Sequence, residues 1–243
     1  MFKMNSDILH SMNMAQRQLA VLVDPEKWNA DSRLCNSIAE AVCPPDYIFV
    51  GGSTAGGDIE ACIQDIRRCT SLPIVLFPGT TSQFTSSADA ILFLSVISSD
   101  DPEYLVKRYI RAARAVSSSD IEVIPMGYII IDGGCPTSVS CSTHSVPIPQ
   151  TDIAHIVDVA IAAQLLGKAL IYLEAGSGAM TPVSLDIIRS VKNAVSVPLI
   201  VGGGICTVQQ MLDAYNSGAD IVVIGNHFER CPNEIPLFCD ARR

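Results

Sequence analysis

Short apolar runs alternate with longer amphipathic stretches along almost the whole chain. The runs are apolar throughout rather than every second residue, which is typical of parallel strands covered on both faces. The stretches between them carry apolar residues at helical spacing, as at Ile59, Ile63 and Ile66. Strands are predicted at 19–23, 47–50, 73–77, 91–96, 123–131, from 169 to about 173, 199–201 and 221–224, and helices at 32–42, 58–69, 103–116, from a cap at 151–152 to 166, 183–194 and 207–216.

Eight strands alternating with helices favour closure into a (β/α)8 TIM barrel, which typically needs about 250 residues. The chain has 243 residues and an apolar fraction of 49%, enough for one such core. No linker interrupts the pattern, so we expect a single barrel domain spanning residues 1–243. An open, doubly wound sheet is the alternative architecture.

The connection between the third and fourth strands breaks the pattern. Residues 79–87 are rich in Thr and Ser and are too few for a crossover helix with its loops. The third helix of the barrel is therefore predicted to be missing or replaced by a loop.

Polar residues and glycines gather where the predicted strands end, and barrel enzymes place their active sites at that end. Asp24 follows the first strand, and Ser53 and Thr54 follow the second. Asp24 is either a turn residue or a ligand for Mg²⁺, which prefers oxygen donors, with Ser53 or Thr54 as the second ligand.

Three glycine-containing loops follow the last three strands, at 176–178, 202–204 and 225–226. They either permit tight turns or form a cup of backbone N–H groups for a phosphate. Glu174 stands just before the first loop, with Tyr172 on the same face of the strand. Glu174 is either a surface charge or a proton acceptor, and Tyr172 is either a partner of Glu174 or a core aromatic residue.

Composition limits the possible partners and location. The net charge of −9 argues against nucleic acid, which needs a basic surface. The nine cysteines are scattered without a CxxC motif, which favours free thiols in a reducing cytoplasm. We find neither a signal peptide nor an apolar run of transmembrane length, so a cytoplasmic protein is expected.

Six motifs in this order resemble geranylgeranylglyceryl phosphate synthase and its bacterial PcrB-type, heptaprenylglyceryl phosphate synthase relatives. They are 22–27 (LVDPEK), 50–53 (VGGS), 77–79 (FPG), 172–178 (YLEAGSG), 201–205 (VGGGI) and 225–226 (GN). A missing third helix is also a feature of that family. Residues 21–23 are wholly apolar where some relatives carry a lysine, which points to a different branch and leaves the prenyl length open.

The resemblance implies a Mg²⁺-dependent prenyltransferase of ether lipid biosynthesis. It would join a polyprenyl group, geranylgeranyl being the first to consider, to sn-glycerol 1-phosphate and release diphosphate. Glu174 and Tyr172 would be catalytic, and Asp24 and Ser53 would hold the metal. Substrate contacts are predicted at Tyr172, Glu174, Ala175, Gly176, Ser177, Gly178, Gly202, Gly203, Gly204, Gly225 and Asn226. The resemblance also implies a homo-oligomer, with product released at a membrane surface.

A prenyl chain needs an apolar groove, and the predicted walls are residues 91–96, Tyr104 and Tyr128. Lys27, Lys168 and Arg189 are the candidates for neutralising diphosphate, and the sequence does not choose among them. Two rival functions stay open. One is an isomerase or lyase acting on a sugar phosphate, and the other is a non-catalytic barrel that binds a phosphorylated metabolite.

Overall fold

Eight parallel strands close into one barrel in chain order. The computed structural model describes residues 7–28, 33–52, 56–137, 141 and 145–242. The strands are β1 (Gln18–Val23), β2 (Tyr47–Val50), β3 (Ile74–Leu76), β4 (Ala90–Val96), β5 (Glu122–Ile130), β6 (Leu170–Glu174), β7 (Leu199–Gly202) and β8 (Ile221–Ile224). Ala20 pairs with Val223, which joins β1 to β8 and closes the circle. The predicted barrel is confirmed.

Most of the helices cover the outside of the barrel. They are α1 (Asp7–Met14), α2 (Arg33–Glu40), α3 (Ile59–Cys69), α4 (Arg108–Ser117), α5 (Ile153–Leu165), α6 (Leu185–Ala194), α7 (Val208–Asn216), α8 (Asn226–Arg230) and α9 (Ile235–Ala241). A π-helical turn, Glu103–Lys107, leads into α4. The helix after β6 begins later than predicted, because the Ser184 side chain caps it by accepting from the Ile187 N–H.

The connection from β3 to β4 contains one short 3₁₀ turn, Thr81–Gln83, where a barrel helix would stand. The missing third helix is thus confirmed. The Gln83 side chain accepts a hydrogen bond of 2.8 Å from the Gly79 N–H. Arg108, at the start of α4, donates to the Gly79 carbonyl oxygen from the other side. Side chains from the loop and from α4 therefore fix the C-terminal end of β3, which a barrel helix would otherwise cover.

Helix α1 covers the N-terminal end of the barrel, and the sequence pattern does not predict it. Its residues Ile8 and Met12 join the hydrophobic core inside the barrel. The Glu122 carboxylate, at the start of β5, accepts from the Ile8 and Leu9 N–H groups at 3.1 and 2.8 Å. The Gln18 side chain, at the start of β1, donates to the Met12 carbonyl oxygen at 3.1 Å. Polar groups at the strand starts therefore hold an apolar plug.

Cys35 on α2 and Cys69 at the end of α3 form a disulfide, with their Cα atoms 5.5 Å apart. The expectation that all nine cysteines are free thiols is wrong for these two. They are 34 residues apart in sequence, and the contact between α2 and α3 brings them together. The other seven cysteines are free.

None of the helices in the described part of the chain is long and apolar enough to cross a membrane.

Candidate active site at the C-terminal mouth of the barrel

A cavity of about 420 Å³ opens at the C-terminal ends of the strands. Side chains alternate across each strand, so residues two apart point the same way. Leu22 and Asp24 therefore enter the cavity together from β1, and Tyr172 and Glu174 enter it from β6. The glycine loops after β6, β7 and β8 also line it.

Glu174 is the buried acid of this cavity, with 6% of its surface exposed. Its Oε1 atom accepts a hydrogen bond of 2.6 Å from the Gly176 N–H. The hydroxyls of Tyr172 and Tyr128 also donate to its carboxylate. Tyr128 lies on β5 directly beside Tyr172 in the strand register. The sequence predicts Tyr128 as a wall of the prenyl groove and does not reveal its contact with Glu174.

Burial raises the pKa of Glu174, while the Gly176 N–H and the two tyrosine hydroxyls act to lower it, and burial prevails. The pKa values of both tyrosines lie well above their ordinary value, first through burial and then through the nearby Glu174 charge. The tyrosines therefore stay protonated as donors, and the carboxyl group is shifted toward the range of a useful proton acceptor.

The loop after β7 stands so close to Glu174 that side chains are excluded there. Gly203 has a φ of +86°, and a Cβ atom on it would lie 2.6 Å from the Glu174 Oε1. A Cβ atom on Gly202 would overlap the Tyr172 hydroxyl. Glycine at these two positions lets the β7 loop close over the β6 acid.

The predicted phosphate contacts divide into two groups. Gly176, Ser177, Gly178, Gly203, Gly204, Gly225 and Asn226 line the cavity together with Tyr172 and Glu174. Ala175 and Gly202 do not line it, and their role as substrate contacts stays a prediction. Ala175 packs in the hydrophobic core between the barrel strands and the helices. Its N–H donates to the Gly202 carbonyl oxygen at 3.0 Å. These two residues join β6 to β7 beneath the cup.

Asp24 lies at the cavity rim beside an ammonium group. The Lys27 Nζ is 3.6 Å from the Asp24 Oδ2 and 3.0 Å from the Glu229 Oε2. Partial burial acts to lower the pKa of Lys27, but Glu229 and Asp24 outweigh it and raise the pKa above its ordinary value. Ser53, the other predicted metal ligand, lies outside the described residues.

The fit of Mg²⁺ to this rim rests on Asp24. In the described residues no group of three or more His, Cys, Asp or Glu side chains is arranged to hold a metal ion. Mg²⁺ is usually held by one or two carboxylates together with substrate phosphates and water, so one rim carboxylate is compatible with it. A Cβ atom on Gly52 would lie 2.6 Å from the Asp24 Oδ1, so glycine there keeps this oxygen accessible.

Apolar side chains form the other half of the cavity. Phe77 stacks on Tyr172 with ring centroids 5.4 Å apart, and Tyr128 contacts both rings. Leu94 and Val96 extend this wall along β4. Ile91 and Phe93 point outward instead, and Tyr104 packs in the core inside the barrel, so none of these three residues lines the cavity.

The three basic residues predicted to neutralise diphosphate lie in different parts of the structure. Lys27 lines the cavity, whereas Lys168 lies outside the barrel and donates to the Ser95 Oγ at 2.6 Å. Arg189 is exposed on α6 and pairs with Asp186. Arg108 lines the cavity and was missed, because the π-helical turn that directs it has no recognisable sequence pattern.

The profile of the PcrB family matches residues 12–237. The chain belongs to the PcrB family. Among relatives, the geranylgeranylglyceryl phosphate synthase of Zunongwangia profunda is 45% identical over 225 residues, covering 91% of this chain and 95% of its own. The enzyme of the same name from Flavobacterium johnsoniae is 41% identical over 228 residues, covering 93% of each chain.

A solved PcrB-family structure has the same fold. It is (S)-3-O-geranylgeranylglyceryl phosphate synthase from Thermoplasma acidophilum, in complex with its substrate sn-glycerol-1-phosphate. The TM-score is 0.87 at 33% identity, over 100% of this chain and 97% of the other. The family resemblance inferred from the motifs is confirmed.

Proposed function

We propose that this PcrB-family protein forms an ether bond between sn-glycerol 1-phosphate and a polyprenyl group supplied as its diphosphate. The observation that carries this proposal is the buried Glu174 carboxylate, which lies between a glycine-lined cup and an aromatic wall. The names of the curated relatives and the substrate of the Thermoplasma enzyme support it.

In the proposed reaction Glu174 holds the free hydroxyl of the glycerol phosphate and accepts its proton. The hydroxyl oxygen forms a bond to the first carbon of the prenyl chain. The bond from that carbon to the diphosphate oxygen breaks, and its electron pair leaves with the diphosphate. Positive charge develops on an allylic carbon during this exchange, and the ionised carboxylate and the aromatic faces nearby stabilise it.

The cup orients the nucleophile. Ser177, Gly203 and Asn226 are proposed to hold the phosphate of the glycerol, a few ångströms from Glu174. Fixing the hydroxyl near the reacting carbon replaces an encounter in solution by a positioned reaction, and it supplies much of the rate. Tyr172 and Tyr128 keep the Glu174 carboxylate in place through their hydroxyls.

Mg²⁺ is the proposed cofactor, with Asp24 and Ser53 as its protein ligands. Bound there, it would supply the Lewis acid that neutralises the leaving diphosphate. Asp24 and the Lys27 ammonium already mark this rim as the charged side of the cavity. We further propose, from the family resemblance, a cytoplasmic homo-oligomer that releases its product at a membrane surface.

The apolar wall decides against the rival functions. An isomerase or lyase acting on a sugar phosphate has no use for the surface formed by Phe77, Leu94 and Val96. A non-catalytic metabolite-binding barrel would not need a buried carboxylate, whose desolvation is unfavourable.

The experiment incubates the protein with sn-glycerol 1-phosphate and prenyl diphosphates of ten to thirty-five carbons, with Mg²⁺ or with excess chelator. Formation of the ether and release of diphosphate are measured by chromatography. We expect the ether only with Mg²⁺, and no product from sn-glycerol 3-phosphate at a comparable rate. Absence of ether with every donor would refute the proposal, and full activity in chelator would refute its metal part.

A further inference from the structure

The Lys27 ammonium group lies among three side chains of the cavity rim. Its Nζ donates to the Glu229 Oε2 at 3.0 Å and to the Asn226 Oδ1 at 3.2 Å. It also lies 3.6 Å from the Asp24 Oδ2. Half of the Lys27 side chain remains exposed. A cation is thus held between the strand end proposed for the metal and the loop proposed for a phosphate.

Lys27 fixes the orientation of the Asn226 side-chain amide. An ammonium group has only donors, so the amide atom that faces Lys27 must be the oxygen. The amide NH₂ therefore faces away from Lys27. A Cβ atom on Gly178 would lie 4.0 Å from this NH₂ group. Asn226 thus presents its donors to the 176–178 loop and its acceptor to Lys27.

Two other basic residues that line the cavity have different surroundings. Arg108 donates to the Gly79 carbonyl oxygen, and its guanidinium lies 4.1 Å from the centre of the Tyr104 ring. The His227 Nε2 is 2.8 Å from a carboxylate oxygen of Glu234. Lys27 is the cation paired with Asp24, the carboxylate proposed for Mg²⁺.

We propose that Lys27 binds the diphosphate of the prenyl donor, on the Asp24 side of Asn226, and that Glu229 is the counter-ion that positions it. This inference rests on the proposed function and adds to it the residue that neutralises the leaving group. A diphosphate carries more charge than one carboxylate, so it takes over the hydrogen bonds that Glu229 and Asn226 accept from Lys27. The glycerol phosphate stays on the other side, at the 176–178 loop.

The test measures binding of the two anions separately, by calorimetry. Inorganic diphosphate, without and with Mg²⁺, and sn-glycerol 1-phosphate are each titrated into wild type and variants. A hydrogen bond to a charged group is worth about ten- to a hundredfold in affinity. We therefore expect Lys27→Met to weaken diphosphate binding by about that factor under both conditions. Affinity for sn-glycerol 1-phosphate should stay within about threefold.

Three further variants isolate the role of the charge. Lys107→Met removes an exposed lysine outside the cavity and should leave both affinities unchanged. Lys27→Arg keeps the charge and should retain most of the diphosphate affinity. Glu229→Gln removes a negative charge beside the diphosphate but keeps an acceptor for Lys27, so diphosphate should bind a few-fold more tightly. In turnover, Lys27→Met should raise the KM for the prenyl donor far more than that for glycerol phosphate.

Several results would overturn the inference. They are unchanged diphosphate affinity in Lys27→Met, a larger loss for glycerol phosphate than for diphosphate, or no diphosphate binding by wild type. A loss in Glu229→Gln as large as in Lys27→Met would overturn the counter-ion role. Failure of the proposed function is seen separately, as absence of ether product from the wild-type protein.

Discussion

A buried carboxyl group that receives three hydrogen bonds lies at the centre of this site. Burial favours the neutral form of Glu174, while the Gly176 N–H and the Tyr172 and Tyr128 hydroxyls favour the charged form. The balance leaves the pKa of Glu174 above the ordinary 4.5, and this assists proton transfer from a hydroxyl near neutral pH.

Replacing Glu174 by Gln should therefore lower kcat by at least about a hundredfold, the lower end of general-base assistance. Gln keeps the size of the side chain and can still accept from the Gly176 N–H, so binding of the prenyl diphosphate should change little. Steady-state kinetics and direct titration of each substrate check this. Survival of kcat within a few-fold would remove Glu174 from the chemistry.

The raised pKa of Glu174 predicts how activity and stability depend on pH. Proton acceptance needs the ionised form, so kcat/KM should fall as pH decreases through the raised pKa of Glu174, with an acid limb centred above 4.5. Stability changes in the opposite sense. The contribution of Glu174 to folding is fully present below 4.5 and is lost as pH rises through its folded pKa. The Gln variant does not titrate, so its Tm relative to wild type should increase with pH.

Gly203 is the position where a single methyl group should disable the cup. Its φ of +86° is unfavourable for other residues, and an added Cβ would lie 2.6 Å from the Glu174 Oε1. Gly203→Ala should weaken binding of sn-glycerol 1-phosphate by at least about tenfold, the loss of one charge-assisted hydrogen bond.

Gly167 provides a matched control. Its φ is +81°, but a Cβ on it would meet nothing within 4 Å. Gly167→Ala should destabilise the fold by about 1–2 kcal/mol through the backbone conformation alone and leave glycerol phosphate binding unchanged. Equal binding losses in the two variants would show that backbone strain, rather than the contact with Glu174, explains the effect at Gly203.

The predicted Mg²⁺ site rests on Asp24. Asp24→Asn keeps the shape of the side chain and removes its charge, so Mg²⁺-dependent turnover should fall by about a hundredfold or more. The variant should fold normally, because Asp24 lies at the rim and its Oδ1 accepts from the Glu26 N–H, a bond that Asn also allows. Titrating Mg²⁺ in the assay gives the readout, and Asp186→Asn on the exposed face of α6 is the control. Wild-type Mg²⁺ response in Asp24→Asn would contradict the assignment.

Among the secondary-structure elements, helix α1 is one that the sequence pattern does not predict. Half of its eight residues are polar, and only Ile8 and Met12 are buried. Its position depends on Glu122 and Gln18, which bind it from the starts of β5 and β1. The contact with Glu122 spans more than a hundred positions and leaves no local periodicity, which is why the sequence pattern does not predict this helix.

Met12 should therefore be a stability residue without a role in catalysis. Only 1% of its surface is exposed, whereas Met14 in the same helix is 71% exposed. Met12→Ala should lower the free energy of unfolding by about 2–5 kcal/mol. Met14→Ala should change it by less than about 0.5 kcal/mol. Denaturant unfolding measures both, and kcat of folded Met12→Ala should match wild type. A stable Met12→Ala variant would mean that α1 does not plug the barrel.

Elements with strong local patterns were predictable, and pairings at a distance were not. Strands β2 and β8 have the predicted bounds, because each is a run of four buried apolar residues between turn residues. The helix after β6 is predicted to start at residue 183, two residues too early, because Ser184 makes the cap and the helix begins at Leu185. The glycine loops and Glu174 were found from sequence. Tyr128, Arg108 and Glu229 were not assigned their roles, since each depends on a neighbour brought in by the barrel.

For the whole molecule, the missing helix leaves one side of the barrel mouth without a helical cover. Pro78, Gly79 and Arg108 border the cavity there, next to Leu94 and Val96 on β4. A long hydrocarbon chain leaving the aromatic wall can pass over this side.

Donor length should therefore affect binding strongly. Each buried CH₂ group contributes about 0.8 kcal/mol, so a donor shorter by one five-carbon unit should have a KM several-fold higher or more. The measurement compares kcat and KM for donors of ten, fifteen and twenty carbons at fixed glycerol phosphate. Equal efficiency of the ten- and twenty-carbon donors would mean that the chain finds no apolar groove on this barrel.

Helix α1, which closes the N-terminal end of the barrel, also determines by which route Glu174 loses the proton that it accepts. Below Glu174 the interior is filled by Leu170, Met126 and Ile200, all fully buried, and α1 covers the strand starts beneath them. A proton taken up by Glu174 therefore returns to water through the same mouth that the ether lipid occupies. Acid should reach the solvent only as the product departs, so a pH indicator should report no early burst ahead of steady turnover.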